Sequence, residues 1–126
     1  MRNIKFVNTL LAAMFLFAGA ANAHVELYDA SPAADSMLES APKELFLSFS
    51  GDVRMVKLTI NDAKGNDVKF GFKPVMEATD EMRWPLPTLA PGKYTVHWKV
   101  MGEDGHSFKS RYNFHVHDSH SHHNAH

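Results

Sequence analysis

Tyr94-Thr95-Val96-His97-Trp98-Lys99-Val100 puts Tyr94, Val96, Trp98 and Val100 on one face and Thr95, His97 and Lys99 on the other. Side chains of an extended chain point alternately to opposite faces, so this period of two predicts a strand with one side in a core. The same alternation recurs on either side. Residues 111–116 turn Tyr112, Phe114 and Val116 inward; residues 44–49 do so with Leu45, Leu47 and Phe49, and residues 55–60 with Val56, Leu58 and Ile60. Weaker strands are expected at 25–30, 68–72 and 81–85. Ser31-Pro32, Ala41-Pro42, Ala63-Lys64-Gly65-Asn66 and Ala90-Pro91-Gly92 punctuate the series as turns. No stretch carries a helical apolar period beyond one possible turn within 33–40. About seven short strands with regular turns predict an all-β domain, a Greek-key barrel or sandwich of immunoglobulin-like form.

The first 23 residues are expected to lie outside that fold. Arg2 and Lys5 precede the apolar run Leu10 to Phe17, and small residues lead to Ala21-Asn22-Ala23, the layout of a secretory signal peptide cleaved after Ala23. The apolar run is short of the roughly 20 residues that a membrane span needs. Cleavage would leave 103 residues beginning His24-Val25-Glu26, with eleven basic and fourteen acidic side chains. The balance is mildly acidic with no basic patch expected, which argues against nucleic acid as a partner. Cysteine is absent, which suits a bacterial periplasm and removes thiolate ligands and nucleophiles. Metal chemistry must therefore come from histidine, carboxylate, methionine or the chain terminus.

A terminal His24 offers its α-amine and an imidazole nitrogen together, a chelate that no internal histidine makes. Tetragonal nitrogen and oxygen donors suit Cu(II). Further donors stand in the loop Glu103-Asp104-Gly105-His106, where His106 brings an imidazole and Asp104 a carboxylate. Gly102 and Gly105 permit a tight turn. Taken alone, the same loop reads as a plain hairpin turn, since Asp-Gly is a common turn pair, and it is the pairing with a terminal His24 that turns the reading toward a metal site.

His24-Val25, Ser31-Pro32-Ala33-Ala34-Asp35-Ser36 and Ala41-Pro42-Lys43-Glu44-Leu45-Phe46-Leu47-Ser48-Phe49-Ser50 resemble the opening of the copper-resistance CopC family. Leu89 to Val100, followed by Asp104-Gly105-His106, and then Tyr112-Asn113-Phe114-His115-Val116, resemble its later segments. The resemblance spans nearly all of 24–116. It implies a periplasmic Greek-key β-barrel that holds one Cu(II) through the amine and imidazole of His24, with His106 and Asp104. It also implies a role in copper tolerance or supply beside an inner-membrane copper transporter, and nothing calls for more than a monomer.

The chain departs from the family pattern twice. Met37, Met55, Met76, Met82 and Met101 are scattered, whereas some members carry a methionine-rich loop for Cu(I), so no dedicated Cu(I) site is expected. Residues 117–126 form an added polar tail, expected to be flexible. His117, His120, His122, His123 and His126 there are either a loose metal-collecting set or simply solvated. His97 faces outward with no metal role, and Glu26 or Glu103 could orient a ligand imidazole. Two other classes stay open on the residues alone: a copper-dependent oxidative enzyme built on an N-terminal histidine, and a metal-free structural sandwich. For the former, Asp104 would occupy the position that oxygen needs, and no aromatic platform for a polysaccharide stands out. Because every nitrogen donor must be unprotonated, Cu(II) affinity is expected to fall on acidification.

Overall fold

The computed structural model describes residues 25–118, so the signal peptide, His24 and the tail histidines from His120 onward lie outside the described residues. The described chain forms six strands: β1 (Leu27–Ser31), β2 (Met37–Leu38), β3 (Glu44–Asp62), β4 (Thr79–Pro85), β5 (Gly92–Gly102) and β6 (Ser107–Val116). The sheet order is β1-β3-β5-β6-β2, with β4 also on β3. Pairing is antiparallel except for β2 on β6.

β3 explains how one sheet encloses a core. Its first half lies between β1 and β4, with Phe46 opposite both Ser31 and Arg83. Its second half pairs with β5 from Val53 to Asp62. The sheet therefore curls over itself, and Phe49 from the first half meets Trp98 of β5 edge to face at 6.1 Å. Trp98 also packs on Tyr112 at 5.8 Å, and Tyr94 stacks on Phe114 at 5.5 Å. The inward residues of β5 and β6 are buried as their alternation requires, with Val96 and Phe114 fully so. Such aromatic contacts supply much of the buried area in a small sandwich.

Several expectations are corrected. The stretches 44–49 and 55–60 are one continuous strand, since both halves find ladder partners and nothing turns the chain between them. Val56 does not face inward. The register slips between Met55 and Lys57, a bulge that spends one extra residue; Met55 is buried and Val56 exposed before Leu58 and Ile60 return to the core. Residues 68–72 form no strand. Gly71 takes a left-handed φ of 77°, and Phe70, Phe72 and Val75 lie against the core as an irregular cover. Residues 33–40 hold no helical turn. Ser36 closes a tight turn on the Ala33 carbonyl, after which the chain pairs with β6 through Asp35 N–H to Asn113 and His115 N–H to Ser36. The merger and the missing strand, set against the added β2, leave six strands where about seven were expected.

The outward face of β3, β5 and β6 carries a feature that no run in the sequence announces. Lys57 lies opposite Lys99, which lies opposite Lys109; in the next outward row Thr59, His97 and Arg111 are aligned likewise. The expected absence of a basic patch holds along the sequence and fails in space.

Two tyrosine hydroxyls tie loops to this frame. Tyr94 donates to the Ala90 carbonyl at 2.6 Å, and the buried Tyr112 to the Pro32 carbonyl at 2.7 Å, across 80 residues. Burial pushes the Tyr112 hydroxyl well above the ordinary tyrosine range, so it stays a donor. Tyr112→Phe should lower unfolding free energy in urea by about 1 kcal/mol, the net worth of one such bond. An unchanged midpoint at unchanged slope would mean that the Pro32 carbonyl finds another donor.

Candidate metal centre

The β5–β6 loop is closed by its own backbone. Gly102 N–H donates to the His106 carbonyl at 2.9 Å and Gly105 N–H to the Gly102 carbonyl at 3.0 Å. Gly105 has φ of 87°, where a side chain would be strained. A Cβ on Gly102 would come within 3.4 Å of the Asp104 carboxylate, so a larger residue there would crowd it.

Within this loop Asp104 and His106 are brought together. Asp104 Oδ1 accepts the His106 backbone N–H at 3.0 Å, and Oδ2 lies 2.9 Å from His106 Nδ1. Both side chains are more than half exposed. Their mutual hydrogen bond, with the attraction of opposite charges behind it, raises the His106 imidazole above its ordinary value and lowers the Asp104 carboxyl. With Nδ1 engaged by Asp104, Nε2 is the ring nitrogen turned to an incoming ligand. A carboxylate engaged in this way both fixes an imidazole and raises its basicity as a ligand. Each carboxylate oxygen keeps a second lone pair, so Asp104 can orient His106 and still donate to a cation.

The start of the described chain reaches the same rim. Glu26 N–H donates to Ser50 Oγ at 2.9 Å, and Ser50 N–H returns a bond to the Glu26 carbonyl at 2.8 Å. Val25, Asp52, Glu103 and Asp104 then line one open depression of about 260 Å³, floored by Phe108 and the backbone at Gly51 and Gly102. Asp52 joins the rim from β3, some fifty positions from Asp104 in sequence; only the curl of the sheet brings it there. Among the described hydrogen bonds Asp104, and neither Glu26 nor Glu103, holds the His106 ring. His97 stays on the outward sheet face, away from the rim. Among the described residues no three His, Cys, Asp or Glu side chains gather closely enough to hold a metal. Asp104 and His106 are thus a pair, and the remaining residue of the expected set, His24, lies outside the described residues.

At the other end of β6, His117 N–H donates to the Leu38 carbonyl at 2.7 Å. Strand-like pairing therefore continues one residue into the expected tail, which leaves from the end of the sheet opposite the loop.

The described chain is thus a curled all-β sandwich that presents an exposed histidine–carboxylate pair on a hairpin rim. The chain belongs to the CopC family: the CopC domain model matches residues 27–117. That family is one of copper-resistance proteins and not of enzymes. Protein YobA of Escherichia coli strain K12 is 34% identical over 98 residues, covering 75% of this chain and 79% of that protein. The crystal structure of CopC from Methylosinus trichosporium OB3b superposes with a TM-score of 0.64 at 34% identity, covering 75% of this chain and 94% of the other. PcoC, described as a methionine-rich copper resistance protein from Escherichia coli, gives 0.58 at 28% identity, covering 75% and 99%.

The raised His106 value has a definite sign. The contribution of the pair to stability is present below the unfolded-state imidazole value and is lost as pH rises through the folded one. For Asp104 it is present above the unfolded carboxylate value and is lost as pH falls through the depressed one. In metal-free protein, NMR titration should place His106 above the ordinary 6.5, and Asp104→Asn should bring it back down. A His106 value unmoved by Asp104→Asn would show that the pair does not form in solution.

Proposed function

We propose that the protein is a periplasmic copper carrier that binds one Cu(II) ion, as cargo, at the rim between the β5–β6 loop and its own exported N-terminus. Cleavage after Ala23 makes His24 the first residue, and its α-amine and imidazole supply two nitrogens. His106 Nε2 supplies a third and Asp104 an oxygen, a tetragonal set of the kind Cu(II) prefers. The observation that carries this reading is that Val25, the residue next to His24, shares one depression with Asp104. The copper-resistance descriptions of the related structures agree with copper as the ion.

A hard anionic oxygen in the set favours Cu(II) over Cu(I). The methionines are scattered: Met55 and Met82 are buried in the core, Met37 is exposed on β2, Met76 is exposed in the irregular segment before β4, and Met101 is half-buried near the end of β5. The carrier serves copper tolerance or supply as a monomer, with an inner-membrane copper transporter as the partner the family resemblance implies.

Cu(II) titration of exported protein truncated after Val116 should find one tight site. His106→Ala should weaken it by about a hundredfold or more, since losing even an outer partner of a metal ligand costs about 10–100-fold. Affinity should fall steeply between about pH 8 and 5, as the amine and imidazoles take up protons. Loss of the tight site on truncation, or its survival in His106→Ala, would move the ligands elsewhere.

A further inference from the structure

Lys57, Lys99 and Lys109 stand directly opposite one another across three adjacent strands, with His97 and Arg111 aligned in the next outward row. Neighbouring strands are about 4.8 Å apart, so the three lysines share a band about 10 Å wide. That is comparable to the screening length of about 8 Å at physiological salt, and an approaching anion meets them as a unit. Like charges directly opposite each other in a sheet are destabilising, and among the described residues none of these cations is in an ion pair. The fold itself gains nothing from this arrangement. Between the lysines lies an open depression of about 410 Å³, also lined by Thr59 and Ser110, with no carboxylate in its wall. The chain as a whole is nonetheless acidic.

We infer that this face docks an acidic segment of a partner protein and brings that partner beside the metal-binding rim. Lys99 and Lys109 are the last cation of β5 and the first of β6, and two further backbone pairs, Val100 with Phe108 and Met101 with Ser107, separate them from the loop that carries Asp104 and His106. The Thr59 hydroxyl, in the outward row beside the lysines, offers a directional donor to a carboxylate. The concavity favours a chain lying in it over a flat array of lipid headgroups. A bilayer of negative charge would also repel the acidic remainder of the molecule, whereas a short acidic segment meets only the band. That the docked partner receives copper rests on the copper-carrier reading above; the docking itself does not.

The test is an NMR titration of metal-free protein, at low ionic strength, with a synthetic peptide of alternating Asp and Glu, beside vesicles of phosphatidylglycerol. The peptide should shift the amides around Lys57, Lys99 and Lys109, and added salt should reverse the shifts. Exposed charge pairs are individually weak, so the triple variant Lys57→Gln, Lys99→Gln, Lys109→Gln should lose about tenfold in peptide affinity while binding Cu(II) as the parent does. Shifts mapping to another face, equal peptide binding by the triple variant, or binding of vesicles in preference to the peptide would each overturn the docking. Because the peptide arm uses metal-free protein, its result stands apart from the copper titration: failure of copper binding alone removes the cargo and leaves the docking face.

Discussion

Ten successive backbone pairs, Gly92 with Val116 through Met101 with Ser107, hold β5 to β6 without a slip, and the rest of the structure depends on that register. Side chains alternate with period two, so a slip of β6 by one residue against β5 would send Tyr112 and Phe114 to the solvent face and bring Lys109 and Arg111 into the core. The same register ends in the five residues that close on themselves through Gly102 and Gly105. Core and β5–β6 loop are therefore set by one pairing. The loop needs no cover of its own: it is the continuation of two of the best-buried strands in the domain.

The second constraint is the length of β3. Because it serves β1 and β4 with one half and β5 with the other, it carries Ser50, Gly51 and Asp52 past the loop at the point where the sheet curls. Ser50 in turn fixes Glu26 by a reciprocal pair of hydrogen bonds. The start of the described chain is thus anchored at Glu26, beside the depression that Val25 shares with Asp104. Outward from the same strands runs the lysine band, so it and the rim of Asp104 and His106 share a scaffold.

Much of this is legible in the residues alone. Strict alternation at 94–100 and 111–116, and the local spacing of Asp104, Gly105 and His106, are short-range signals that survive without knowledge of partners. What escapes is decided between strands. Val56 alternates correctly with its neighbours, yet a bulge against β5 turns it outward. Val68, Phe70 and Phe72 are apolar at period two and do pack on the core, but Gly71 breaks the extended backbone they would need. Asp52 and the row Lys57, Lys99 and Lys109 are unremarkable in sequence because their proximity is a product of topology.

The central claim is that the chain's own amine, freed at His24, is a copper ligand. It is tested most directly by Cu(II) titration of protein beginning at His24 beside protein carrying one extra N-terminal glycine, both truncated after Val116. A tight site in the first that is lost or badly weakened in the second is the result expected. Equal binding by the two would contradict it, because an internal His24 keeps its imidazole and loses only the terminal amine.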